Sequence, residues 1–362
     1  MFKGSMEGTF KIPFYMRASL ISIGILAFIY ALSISQSILI PLIYSTIIAI
    51  VLSPVVNFLV RKKMNRIIAI AFSILMMIVI SVSIVLLLAS QASMFSESFP
   101  KLLSKFDLLL HQTEGWISGS FNISSFKINT WIDQTNTDIL NSSRSLIGQT
   151  LVNIGSLLVV LVLIPVYIFM ILFYQPLLMD FIHKLFSTNK HRAVNEVLTA
   201  IKKIIQSYLI GLLLEAFIIA VLNSTSLLIL GIDYAILLGV IGALLNVIPY
   251  IGGIVAVTLP MIIALATKSP TYALLVMACY ILIQFIDNHF IIPKVVASKV
   301  KINALVSVIV VLAGGALWGL PGMFLSIPLT AILKVIFDHI DTLKPWGYVL
   351  GSPNEINKKP GK

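Results

Sequence analysis

Residues 235–267 read AILLGVIGALLNVIPYIGGIVAVTLPMIIALAT, an apolar run broken midway by Asn246, Pro249 and the pair Gly252-Gly253. As one straight helix it would be about 50 Å long, against roughly 30 Å of bilayer hydrocarbon. A second run, 303–338, reads ALVSVIVVLAGGALWGLPGMFLSIPLTAILKVIFD from Ala304 onward and is interrupted in the same way by Gly314-Gly315, Gly319, Pro321-Gly322 and Pro328. Broken helices persist at membrane depth only where the freed backbone is buried in protein or lines a wet cavity. Paired interruptions of this kind point to the substrate site of a secondary transporter.

The rest of the chain agrees with a membrane setting. Of 362 residues, 59% are hydrophobic and 11% charged, where a soluble domain carries about 25% charged residues. Eight apolar segments stand out: 17–34, 38–60, 67–92, 146–174, 208–230, 235–267, 271–292 and 304–338. The expected fold is therefore an all-α polytopic membrane protein with six spanning helices plus two broken helical hairpins. The excess of positive charge does not indicate nucleic acid, because Lys and Arg lie in short loops between spans, where they set topology. Lys3, Lys11 and Arg17 before the first apolar run give it the outline of an uncleaved signal anchor. The single cysteine, Cys279, excludes an internal disulfide.

With residues 1–16 in the cytoplasm, the loop RKKMNR at 61–66 falls inside, the polar segment 93–145 outside, and the basic amphipathic segment 175–207 inside. The two long runs decide the topology of the C-terminal half. If 235–267 enters and leaves on the outer face and 303–338 enters from the cytoplasm, 20 Lys and Arg fall inside and 5 outside. If both are kinked full spans, the split is 18 and 7. The hairpin arrangement fits the positive-inside rule better. It divides the chain into three first spans (17–92), an outer helical segment (93–145), spans four and five (146–230), a transport core (231–340) with hairpins flanking 271–292, and an inner tail (341–362). Both termini are then cytoplasmic.

Ionisable groups within spans are costly and mark candidate sites. Glu215 lies in LIGLLLEAFIIAV, on one helical face with Tyr208 and Gly211. Gln284, Asp287, Asn288 and His289 lie in ILIQFIDNHFIIPKVV, the first three expected on one face, with Pro293 expected to end the helix and Lys294 placed to pair with Asp287. A carboxylate with two carboxamides can bind a polyhydroxylated solute or hold a cation through oxygen. Gly252-Gly253, Gly314-Gly315 and Gly319 let backbone approach a ligand, although glycines in membranes also serve plain close packing of helices. Asn246 stands beside the first break. Five dispersed histidines, no HExxH and no Walker loop argue against an enzyme or an ATP-driven pump.

The runs IPYIGG (248–253), QFIDNHFIIPKVV (284–296) and LAGGALWGLPGMFLSIPL (312–329) resemble the autoinducer-2 exporter family of bacterial permeases, with matching hydropathy over residues 10–340. That resemblance implies a multi-pass protein of the bacterial inner membrane, a homo-oligomer, and export of small polar molecules such as the autoinducer-2 furanosyl signal. It also carries over Pro249, Gly252, Gly253, Gln284, Asp287, Asn288, Pro293, Gly314, Gly315, Gly319 and Pro328 as site or hairpin residues. At Glu215 the family pattern often has a neutral amide. The leading expectation is a secondary exporter without cofactor or metal, with Asp287 and Glu215 as candidate coupling groups for H⁺ or Na⁺. The alternatives are a cation/proton antiporter using the same carboxyls, and a non-transporting membrane scaffold.

Overall fold

The computed structural model describes residues 13–121, 162–246, 252–295 and 302–351. Among these the chain is helical throughout, apart from turns and an isolated bridge between Ile302 and Gly351. Helices α1 (Phe14–Ile34) and α2 (Gln36–Arg61) are joined at Ser35. α3 (Arg66–Phe121) begins where the Asn65 side chain accepts the Ile67 N–H at 2.9 Å. The sequence places a span at 67–92 and separate helical material beyond it; α3 instead runs on unbroken for 56 residues. It is about 84 Å long and projects well past the bilayer. The remainder of 93–145 lies outside the described residues.

α4 (Val162–Phe173) bends by 62° into α5 (Gln175–Leu185), where Pro176 occupies the first turn and needs no N–H partner. α5 is amphipathic, with Leu177, Leu178, Phe181 and Leu185 exposed on it, the character of a helix lying at the membrane surface. α6 (His191–Ile229) joins the basic inner segment and the fifth span into one helix. Its buried stripe of Ile205, Tyr208, Leu209, Leu212, Glu215, Ile219, Asn223 and Leu227 recurs every three or four residues.

Next come α7 (Ala235–Asn246) and α8 (Gly252–Thr267), about 18 and 24 Å long and each too short to cross. They pack against each other, and the chain entering at Gly231 meets the chain leaving at Lys268: a Cβ on Gly231 would lie 3.4 Å from the Lys268 ammonium nitrogen. Both ends of this pair therefore lie on one side. Leu227, Ala235, Leu238, Ala256, Ile263, Ala264, Val276 and Tyr280 form a common core with it, and Phe95 of α3 closes over Tyr234 at 5.3 Å, edge to face.

α9 (Pro270–Ile286) continues through a π turn at Asp287–Ile291 into α10 (Ile292–Val295). α11 (Ala304–His339) is folded back on itself at Gly319, whose φ of 65° and ψ of −146° belong to a region that only glycine enters freely. The arms meet where Gly314 abuts Ser326 and Gly322. Their open ends are tied together by α12 (Lys344–Leu350): Asn303 Nδ2 donates to the Val349 carbonyl at 2.7 Å, and Gly347 rests on Asp338. Among the described residues, six helices are by length and composition able to cross a membrane. One of them is α11, which the fold at Gly319 turns into a hairpin rather than a span.

The second hairpin packs on α2 and α6 through Ile47, Ile205, Leu209, Leu212, Val311, Leu325 and Ile327. Its tip is held from outside: the Trp318 indole N–H donates to the Leu32 carbonyl at 3.1 Å, and the Tyr44 hydroxyl donates to the Pro321 carbonyl at 3.3 Å. Thiol labelling reads out the first hairpin directly. In a Cys279→Ser background, Asp233→Cys and Lys268→Cys should react with a membrane-impermeant thiol reagent from one side and Lys294→Cys from the other. Reaction of 233 and 268 from opposite sides would mean a full crossing. For the second hairpin, Gly319→Ala should lower the thermal unfolding midpoint in detergent, since forcing a side chain into that backbone region costs about 1–3 kcal/mol.

Candidate solute-binding site

Three helix segments converge on Asp287. In the apolar layer beneath it, Ile219 of α6, Ala243 of α7 and Ile283 of α9 touch. One turn further along each helix, toward the same end, stand Glu215, Asn246 and Asp287. Asp287 is fully buried, with 0% exposure, and Glu215 is 5% exposed. The Asn246 amide donates to Asp287 Oδ2 at 2.8 Å. Asp287 Oδ1 is buried and has no hydrogen-bond partner among the described residues. Glu215 lies within electrostatic reach of Asp287 on one side and of Tyr208 on the other.

The beginning of α8 completes the wall. Gly252 packs directly on the Leu245 carbonyl, and a Cβ on Gly253 would lie 2.8 Å from Gln284 Oε1 and 3.6 Å from Asn246 Oδ1. A larger residue at 253 would push apart the two carboxamides that border the carboxyl. Gln284 in turn donates to Asn288 Oδ1 at 3.3 Å. The arrangement thus brings carboxyl oxygens, the Asn246 and Gln284 amides and the start of a helix together, with the exposed Asn288 at their edge, a set suited to hydroxyl groups or a small cation.

Two sequence expectations need correction. Pro293 does not end the helix. The backbone widens into a π turn at Asp287–Ile291, immediately before the ring that could not otherwise be accommodated, and the helix resumes to Val295. Asp287 does not pair with Lys294 either; its partner is Asn246, because Asp287 continues the buried face of α9 formed by Val276, Tyr280 and Ile283. Gln284 and Asn288 remain neighbours, while Asp287 points inward from them.

His289 is anchored structurally, its Nδ1 2.9 Å from the Phe285 carbonyl and its ring stacked on Phe285 at 4.2 Å. Pro249 lies outside the described residues. Gly314 and Gly315 find their nearest neighbours in Ser326, Gly322 and Met323 of their own hairpin, and Gly319 has open space around it. The structure does not bring these three against Asp287. It instead puts Glu215 within electrostatic reach of Asp287, on helices far apart in sequence, a proximity no local pattern could have announced.

A model described as AI-2E family transporter matches residues 20–342. The chain belongs to the AI-2E transporter family. YrrI of Bacillus subtilis (strain 168) is 28% identical over 313 residues, covering 84% of this chain and 87% of that protein. The AI-2 transport protein TqsA of Escherichia coli (strain K12) is 26% identical over 324 residues, 88% of this chain and 91% of its own length. YueF of Bacillus subtilis (strain 168) is 24% identical over 315 residues, 83% of each. As an AI-2E family member the chain is a multi-pass membrane transporter.

The Asn246–Asp287 bond should be measurable as coupling. Stripping a buried carboxyl of its donor costs about 1–3 kcal/mol. Asn246→Ala should therefore lower the unfolding midpoint clearly in the native background and much less in an Asp287→Ala background. Equal losses in both would show that the bond contributes nothing.

Proposed function

We propose that this AI-2E transporter exports a small polar, hydroxylated solute, of the kind represented by autoinducer-2, across the bacterial cytoplasmic membrane by alternating access. The observation that carries this reading is Asp287: a carboxyl with 0% exposure, held by Asn246 through one oxygen and left with the other oxygen unused among the described residues. Buried acceptors without a partner are rare in folded proteins and ask for an explanation. An ionisable group at membrane depth asks for one more strongly. A bound solute hydroxyl would supply the missing donor.

In this reading Asp287 accepts from one hydroxyl of the solute, Gln284 and Asn288 orient its neighbours, and the backbone at Gly252-Gly253 lies against it. Glu215, the second carboxyl in reach, carries the coupling proton. The hairpin α7–α8 forms one wall of the site, and the hairpin in α11 packs on the other end of the same α6 stripe. Movement of the hairpins against α2 and α6 exposes the site to each side of the membrane in turn. The name of TqsA, an AI-2 transport protein, supports the solute class.

The test is efflux of labelled autoinducer-2 from preloaded proteoliposomes. Asp287→Asn keeps an acceptor for Asn246, so the protein should insert and melt as before. Efflux should fall by about tenfold or more, the effect of losing a charge-assisted hydrogen bond worth about 1.5–3 kcal/mol. Native efflux from Asp287→Asn would contradict the proposal. So would sodium-driven proton movement by the native protein in the absence of any organic solute.

A further inference from the structure

A second set of polar groups lies deeper along the same three helices. Asn223 of α6 is 3% exposed and Tyr280 of α9 is 7% exposed, and the Tyr280 hydroxyl makes no hydrogen bond among the described residues. Both converge on Gly242 of α7: a Cβ built there would lie 3.2 Å from Asn223 Nδ2 and 3.5 Å from the Tyr280 hydroxyl. Glycine at 242 lets an amide and a phenol close in on the α7 backbone, and a side chain there would press on both. Asn223 is two helical turns from Glu215 and Tyr280 two turns from Asp287, about 10–12 Å along α6 and α9, while on α7 Gly242 stands one turn, about 6 Å, from Asn246. Along α6 and α9 the two polar levels are separated by Ile219 and Ile283, and Ala243, the chain neighbour of Gly242, packs against both.

We infer that Asn223, Tyr280 and Gly242 form a second polar station on the solute path, separated from the Asp287 station by an apolar gate of Ile219, Ala243 and Ile283. The inference rests on the reading of the chain as a solute carrier and narrows the chemistry of what it carries. The station has an amide that donates and accepts and a hydroxyl that does both, and it has no charge. It suits a neutral, hydroxyl-bearing molecule and gives a metal cation little reason to dwell. A buried phenol without a partner destabilises a bundle that uses it only for packing; a solute in passage supplies the partner. The gate is made of side chains on three separate helices, one of them in a hairpin, so a shift of α7 opens it.

Accessibility tests this without knowledge of the natural substrate. Asn223→Cys, Gln284→Cys and, as a control, Leu227→Cys are made in the Cys279→Ser background. Leu227 is 0% exposed on the next turn of α6, within the apolar core. A hydrophilic, membrane-impermeant methanethiosulfonate should modify Gln284→Cys and Asn223→Cys several-fold faster than Leu227→Cys. Labelling at 284 with Asn223→Cys as slow as Leu227→Cys overturns the second station and leaves the carboxyl site standing. Slow labelling at both 284 and 223 overturns the solute-path reading itself.

Tyr280→Phe supplies an independent check, because it removes only the hydroxyl. The unfolding midpoint should stay the same or rise, while efflux of autoinducer-2 from proteoliposomes falls several-fold. Unchanged efflux would make Tyr280 a packing residue and remove it from the path.

Discussion

A backbone that leaves the helix inside a membrane must find partners for its freed N–H and C=O groups within the protein. This constraint orders the whole C-terminal half of the molecule. α7 ends at Asn246, α8 begins at Gly252, and α11 folds back at Gly319, so each apolar run that is too long for one span becomes a pair of packed arms. Neither pair of short arms spans the bilayer alone, so each must be packed against something continuous. α6 is that element. Its buried stripe meets the α11 hairpin through Ile205, Leu209 and Leu212 and the α7–α8 hairpin through Ile219 and Leu227. Glu215 stands between the two contact regions.

Packing in this setting gains little from the hydrophobic effect, since lipid is as apolar as leucine. Close approach takes its place. Gly239 sits on Ser224, Gly242 between Asn223 and Ala256, and Gly252 on the Leu245 carbonyl. These contacts draw α6, α7 and α8 near enough for Asn246 to reach Asp287. The polar cluster thus depends on small residues that carry no chemistry themselves. The same spacing leaves little room, so a modest displacement of α7 changes both the carboxyl site and the apolar layer beneath it.

Much of this was legible in the sequence, and for identifiable reasons. Run length against bilayer thickness, with Gly and Pro at the midpoints, pointed to the two hairpins. The cost of charge in lipid singled out Asp287 and Glu215, and the resemblance in IPYIGG and QFIDNHF indicated the family. What escaped was set by geometry that local spacing does not encode. The helical rule placed Gln284, Asp287 and Asn288 on one face, but Asp287 falls on the buried face with Tyr280 and Ile283, while Asn288 is exposed. The glycines at 314 and 315 read the same as those at 252 and 253. In the structure the former close a hairpin on itself, and only Gly253 borders the carboxyl. Asn223 and Tyr280 carry no pattern at all, because a single amide and a single phenol in apolar runs look like ordinary bundle residues.

The alternating access we propose requires the hairpins to move against α2 and α6 during transport. Tyr44 of α2 and Phe324 of the α11 hairpin stack with ring centroids 5.9 Å apart, remote from the proposed solute site. Tyr44→Cys with Phe324→Cys, in the Cys279→Ser background, can be bridged by a short bifunctional thiol reagent whose link is cleaved by reduction. Efflux of autoinducer-2 should stop when the bridge forms and return when it is reduced, while either single variant is unaffected by the reagent. Undiminished efflux from fully bridged protein would show that the hairpin does not move, and transport by hairpin motion would be wrong.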